Sequence, residues 1–280
     1  MTAAASSATA PTGGLWIAVI NLLRADDRRA RMTEMFGEIG VAVEYFPALD
    51  MLDPAVRQRL DALPQRGAWA EFYLQDKACA LSHIEVHKTF LGRDEETCLV
   101  FEDDVFVSAD LADWIPDLSW IPSDADIVKI EKWMRKSGSV LLGSDARRHL
   151  DRSIARLYSR HQGGAGYFVT RRGAEKVVNE PATLNASIDH WLFNPEGSPL
   201  ARKLVVYQVD PALVRQGNEP ERRAGAPARI DRKENKFRRE LSRAWLRLKF
   251  LPTALALRLG GRALPRHIGW QDRMNAASAG

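Results

Sequence analysis

The 280 residues are enough for one large domain or two small ones, and 45% hydrophobic with 27% charged residues is ordinary for a globular chain. The net charge of +4 hides a division: residues 221–280 hold 15 Lys/Arg against 5 Asp/Glu, whereas the first 220 residues hold 25 basic and 31 acidic. A body of that sign argues against nucleic acid as a partner, and apolar runs such as Leu15 to Ile20 are too short to span a membrane.

Residues 1–14, rich in Ala, Ser and Thr and with no basic residue ahead of a long apolar stretch, are expected to form a disordered lead-in rather than a secretory signal. The two cysteines, Cys79 and Cys98, make neither a disulfide framework nor a zinc site, so cytoplasm is the expected compartment. Trp16 to Asn21 reads as a first buried strand. Ala30 to Ile39 reads as a helix with Met32, Met35, Phe36 and Ile39 on one face, ended by Gly40. Val41 to Phe46 is a second strand closed by Pro47, which completes a parallel βαβ unit. A short helix is expected over Pro54–Leu63, a loop over Gln65–Asp76, and a helix over Lys77–Leu91 leading into a strand that ends at Phe101. Further strands follow at Asp126–Glu131, at Ser153–Tyr158 as an edge strand, at Tyr167–Thr170 and at Leu204–Val209, with a helix over Arg172–Asn179. Alternating strands and helices predict an α/β fold with a mostly parallel central sheet over residues 15–218.

Beyond Asn218 the composition shifts to Arg, Glu, Ala and Pro, marking a linker and a basic tail, 219–280. Lys236 to Leu251 places Phe237, Leu241, Trp245 and Leu248 at helical spacing among arginines, with Pro252 as a stop. Such a basic amphipathic helix suits peripheral contact, through 236–251, with an anionic membrane at its inner face. Packing of the helix on the acidic body is the alternative.

Glu102, Asp103 and Asp104 follow directly on the apolar run Thr97 to Phe101. Three unpaired carboxylates cannot all be buried there, because each would cost several kcal/mol. Ligand sites of α/β proteins lie at the carboxyl ends of strands, and clustered carboxylate oxygens suit Mg²⁺ or Mn²⁺. A solvated acidic turn is the plain alternative.

Seven segments together resemble glycosyltransferase family 25. They are Ala18–Arg24 with Asp27–Arg29, Phe46–Asp50, Cys79–His83, Phe101–Val105, Asp126–Val128 with Glu131, Gly164–Tyr167 and Ile188–His190, in that order. Ala78 stands where the family's Gly-Cys-x-x-Ser-His element has glycine, which puts a close backbone contact there in doubt. The resemblance covers about residues 15–217. It implies a GT-A-like, Rossmann-type sandwich, a nucleotide-sugar donor, a divalent ion, usually Mn²⁺, and inversion at the anomeric carbon. A UDP-sugar giving galactose or a related hexose to a glycan or lipid-linked acceptor is the activity expected.

Departure of a nucleoside diphosphate needs its growing negative charge neutralised. Glu102 and Asp104 are the expected metal ligands, direct or through water, since alternation puts them on one side if the strand stays extended. Asp103 then faces elsewhere or holds the ribose. Asn21 and Arg24, at the end of the first strand, are expected to contact uridine or diphosphate, and Arg28 to add a charge-assisted phosphate contact. Ser82 and His83 are donor-site candidates under the resemblance, although a helical histidine is more often a hydrogen-bonded core residue. Gly164 marks either close passage of backbone past the sugar or a tight turn lining the acceptor side. Asp189 is the candidate base for the acceptor hydroxyl, Glu131 the runner-up, and His190 a third metal ligand; Asp189 as a cap of the turn before Trp191 is the alternative. Two other classes remain open: a metal-dependent phosphohydrolase drawing on Asp126, Glu131 and Asp189, and a non-catalytic membrane-associated binding module.

Overall fold

A computed structural model of the chain describes residues 14–133, 138–217 and 236–272. The lead-in before Gly14 and the linker after Asn218 lie outside the described residues. β1 (Leu15–Asn21) is buried along its whole length. Trp16, Ala18 and Ile20 enter one apolar core, and Leu15, Ile17 and Val19 enter a second on the other face of the sheet. Period-two alternation with apolar residues on both faces is what a central strand of a covered sheet requires.

α1 (Asp26–Glu38) starts earlier than the apolar periodicity indicated, with Asp26 and Asp27 in its first turn, where carboxylates meet the positive end of the helix dipole. It closes through Gly40 at φ +67° and a Val41 N–H to Phe36 O bond. That bond commits Val41 to the helix end, so β2 (Glu44–Pro47) is shorter than the strand expected from Val41. α2 (Pro54–Asp61) is capped by Asp53, which accepts from the Ala55 and Val56 amides. α3 (Leu74–Leu91) then leads into β3 (Thr97–Glu102).

The central sheet has eight strands. Besides β1–β3 these are β5 (Ile127–Lys129), β8 (Arg147–His149), β9 (Arg152–Arg156), β10 (Gly166–Thr170) and β11 (Val206–Asp210), in the order β2-β1-β3-β10-β5-β11-β9-β8. β10 and β9 run against the other six, so four of the seven pairings are antiparallel. The expected mostly parallel sheet is therefore a mixed one. An apolar run buried on both faces carries no mark of direction, because ladder hydrogen bonds form either way. β9, expected at the edge, is covered by β8.

The Asp126–Glu131 run divides between two sheets. After Lys129 the chain enters a small sheet of β4 (Val105–Val107), β12 (Val214–Gln216) and β6 (Glu131–Lys132), while Ile130 O accepts from the Leu213 and Val214 amides. This crossing carries Lys129 and Glu131 into the interior beside the carboxyl end of β3.

Among the described residues the remaining α-helices are α4 (Leu111–Trp114), α5 (Arg171–Val178), α6 (Ile188–Phe193), α7 (Pro199–Lys203) and α8 (Lys236–Leu259). α8 does not stop at Pro252 but continues through it. An interior proline costs about 3 kcal/mol, which burial of Leu257 on the body helps to offset. After α8, β13 (Ala263–Arg266) pairs with β7 (Val140–Gly143). The fully buried Arg152 ties this end down: it donates to the carbonyls of Pro211, Ala212 and Gln271 and pairs with Asp110. Part of the stretch read as a separate basic tail is thus built into the body.

Candidate active site

The carboxyl ends of β1, β2 and β3 open into one cleft of about 320 Å³, lined by Arg24, Arg28, Asp50, Glu102, Asp103 and Asp104, with Cys79, Ser82 and His83 of α3 as its other wall. β3 ends at Glu102, and Asp103–Asp104 make a two-residue turn into β4. Strand alternation therefore stops two residues short of Asp104, and the turn is what brings all three carboxylates to the cleft.

Asp103 is committed to the protein. Its Oδ2 accepts from Asn21 Nδ2 at 2.7 Å and its Oδ1 from Arg28 Nη1 at 2.6 Å. Burial pushes its carboxyl up to about 6 against the pull of Arg28 and Asn21, while Asp104 and Glu102 add to the rise. Asn21 also donates to Ala25 O and is almost wholly buried, so it sits behind Asp103 rather than facing a ligand. Arg24 forks onto Asp50 at 2.5 and 3.2 Å at the cleft mouth. That hydrogen-bonded pair raises the arginine's pKa and lowers the aspartate's. Exposed pairs of this kind are worth about 0–1 kcal/mol, so Arg24 can exchange its partner for a phosphate at little cost.

Ser82 is structural. Its hydroxyl donates to Ala78 O and accepts from Leu49 N, fastening the loop after β2 to α3. His83 is fully buried, and burial pushes its pKa down to about 3, so it is a neutral imidazole. Its Nε2 faces Glu102 Oε1 at 3.3 Å and its Nδ1 faces Tyr167 Oη at 2.8 Å, with His87 Nε2 on the same phenol oxygen at 3.0 Å. An ionised carboxylate only accepts, so Nε2 carries the proton and Nδ1 accepts from the tyrosine. The chain His87–Tyr167–His83–Glu102 fixes the Glu102 carboxylate from behind.

Cys79 Sγ lies 3.5 Å from the same Glu102 oxygen. Burial, with Glu102 adding, pushes its thiol pKa well up, which fits a small buried residue and not a nucleophile. Among the described residues, Cys79, His83 and Glu102 form the group of three donors close enough to share an ion; Asp104 and His190 are not in it. The His190 ring packs tilted against Trp69, centroids 5.0 Å apart, and its Nδ1 accepts from Asn194. The expected trio of Glu102, Asp104 and His190 is therefore not assembled here. The two carboxylates at the cleft do fit an oxygen-preferring divalent cation.

A second cluster lies under the glycine turn. Lys129 and Glu131 are fully buried, Nζ to Oε2 3.6 Å. Lys129 donates to the carbonyls of Gln162 and Gly163, and Glu131 Oε2 accepts from Ala165 N at 2.9 Å. Glu131 Oε1 has no hydrogen-bond partner among the described residues. Burial pushes the Glu131 carboxyl up to about 7, with Lys129 opposing and Glu102 adding. Gly163 has φ +87°, and a Cβ there would stand 2.2 Å from Glu131 Oε1, so only glycine fits. At Gly164 a Cβ would meet Ile188 Cγ2 at 2.8 Å, placing that residue in a tight turn against the start of α6.

Asp189 closes this turn. Its Oδ2 accepts from Gly163 N at 3.2 Å, and its Oδ1 accepts from Ser187 Oγ at 2.6 Å and His190 N at 2.8 Å. Burial pushes its carboxyl up, but His190, Ser187, the Gly163 amide and Lys129 outweigh it and the pKa is lowered. Asp189 is partly exposed, whereas Glu131 has no exposure at all. Tyr167 and His87 were not picked out as site residues from the sequence; two histidines four apart on α3 were the available signal.

The acidic, arginine-edged cleft lies at the carboxyl ends of the strands of a large α/β fold, where ligand sites of such folds are found. The model of "Glycosyltransferase family 25 (LPS biosynthesis protein)" matches residues 16–192, and the chain belongs to that family. The lacto-N-neotetraose biosynthesis glycosyltransferase LgtE of Neisseria meningitidis serogroup B is 30% identical over 213 residues, covering 71% of this chain and 72% of that one. LgtB of N. meningitidis serogroup A is 30% identical over 211 residues, 71% and 73% of the two chains. The lipooligosaccharide biosynthesis protein lic2B of Haemophilus influenzae is 23% identical over 211 residues, 70% and 73% of the two.

Proposed function

We propose that this chain is an inverting, GT-A-type hexosyltransferase that moves a hexose, galactose first, from a UDP-sugar to a glycolipid or polysaccharide acceptor. The observation that carries this reading is the cleft at the end of β3, lined together by Glu102, Asp104 and the re-pairable fork of Arg24. The lacto-N-neotetraose and lipooligosaccharide relatives support a glycan carried on a lipid as acceptor. Such an acceptor is met at the inner face of the membrane, with peripheral contact through 236–251. Among the described residues no helix is long and apolar enough to cross a membrane.

Glu102 and Asp104 would hold a Mn²⁺ or Mg²⁺ ion, which supplies charge neutralisation for the departing diphosphate. Arg24 leaves Asp50 for a phosphate oxygen, and Arg28 keeps Asp103 in place beneath the nucleotide. The acceptor oxygen bonds to the anomeric carbon as the bond to the diphosphate breaks, and the hydroxyl proton passes to Asp189. Asp189 suits that role because it is ionised at neutral pH and partly exposed. Glu131 acts through others: with Lys129 it holds the Gly163–Ala165 turn that orients Asp189.

The phosphohydrolase alternative loses one of its carboxylates. Asp126 sits at the amino end of β5, accepts from Arg172, Lys176 and the Val205 amide, and does not line the cleft. A donor screen read by product-detecting mass spectrometry tests the proposal. An acceptor that gains one hexose as UDP is released, with the gain lost in EDTA, is the expected result. UDP release with no sugar on any acceptor would sink it.

A further inference from the structure

α8 is apolar on two opposite sides. Leu246, Phe250 and Leu257 turn inward: Leu246 lies against Gly197, and Phe250 and Leu257 meet Leu192, Phe193 and Leu204 around one hollow. On the same side Arg243 and Arg247 stand over the Trp69 ring at 5.3 and 5.7 Å. The outward side is a row of large apolar residues. Phe237, Leu241, Trp245 and Leu248 are 56–78% exposed, and Leu251, Leu255 and Leu259 continue the row.

At 3.6 residues per turn the whole row falls within an arc of about 120°, centred opposite Leu246 and Phe250. The face singled out from the sequence therefore does not pack on the body, and it extends past Pro252 to Leu259. On the same wheel Arg238 and Lys249 border one edge of the row, and Arg258 the other beside Glu240, whose charge is taken up by Arg239 and Arg243. Soluble monomers rarely expose a continuous apolar strip of this kind. Basic side chains bordering it can lay their stems on acyl chains and send their charges to phosphates. Two copies pairing by this face would bring the basic borders together, a repulsion that an anionic lipid surface turns into attraction.

We propose that α8 lies in the plane of an anionic phospholipid surface, with the Phe237–Leu259 row inserted and the opposite side clamped on the body at Trp69. Trp69 packs against the ring of His190, the neighbour of Asp189, so the lipid surface is held two side chains from the acceptor side of the site. The inference rests on the transferase reading for its purpose, delivery of a lipid-linked acceptor, but binding itself does not depend on turnover.

The test uses the full chain, vesicles of phosphatidylcholine with or without phosphatidylglycerol, and the double variant Leu241→Glu with Leu248→Glu, both exposed positions. Co-sedimentation should show the wild type on the anionic vesicles, much less on the neutral ones, and released by salt. The variant should bind at least about tenfold more weakly while its melting temperature and its turnover of a water-soluble glycan stay unchanged. Equal partitioning of variant and wild type, or no binding by the wild type, overturns the proposal. So does a vesicle-free dimer that the variant abolishes, which would make a second copy the occupant. Vesicle binding by a protein that transfers no sugar to any acceptor would instead remove the transferase reading and leave the membrane site standing.

Discussion

Changing Glu102→Gln and Asp104→Asn together is expected to lower sugar transfer by about three orders of magnitude while the protein stays folded. Both replacements keep shape and remove charge. The amide oxygen that Glu102→Gln introduces can still accept from His83 Nε2, so the relay through Tyr167 and His87 survives. What is lost is the paired negative charge at the cleft, and with it the capacity to hold a divalent cation against the diphosphate. A loss in kcat/KM larger than the loss in kcat, with the melting temperature unchanged, would mark donor binding removed together with transition-state stabilisation. Turnover within a few-fold of wild type would remove both residues from the chemistry.

Asp189→Asn should cost between about 10²- and 10⁴-fold in transfer with donor binding intact. The pH profile separates this base from the runner-up. Asp189 has its pKa lowered from the usual 3.8, so as base it keeps its charge, and the rate its height, well into the acid range. Glu131, raised to about 7, would as base give a rate already halved near neutrality and falling tenfold per pH unit below it. A wild-type rate that does not fall tenfold per pH unit below 7, together with collapse in Asp189→Asn, is the expected pair of results. An acid limb near 7 that shifts in Glu131→Gln would transfer the role to Glu131. Asp189 also accepts from Gly163 N, so the variant's melting curve must be measured beside its rate.

Much of this was legible in the chain. The first strand, the helix after it and the strand ending in the acidic triplet follow from apolar periodicity, because burial on one or both faces is what periodicity records. Most of the residues expected at the donor site do converge on one cleft. Their jobs were less legible. Asn21 and Arg28 both hold Asp103, and of the two only Arg28 lines the cleft, since a polar residue at a strand end reads alike whether it faces a neighbour or a substrate. Strand direction was hidden for the reason given by β10, whose apolar run pairs equally well either way. Pro252 reads as a stop because its local cost is visible in the sequence and the burial of Leu257 beyond it is not. The Lys129–Glu131 pair became visible only where β5 gives way to β6, a change of sheet that no local pattern announces.

Titration calorimetry of the intact chain with UDP-galactose, with and without Mn²⁺, tests the central claim most directly. Saturable binding that appears with the ion, disappears in EDTA and is lost in the Glu102→Gln, Asp104→Asn protein is the predicted outcome. Absence of binding for every nucleotide sugar and divalent ion offered, or binding indifferent to both carboxylates, would contradict it.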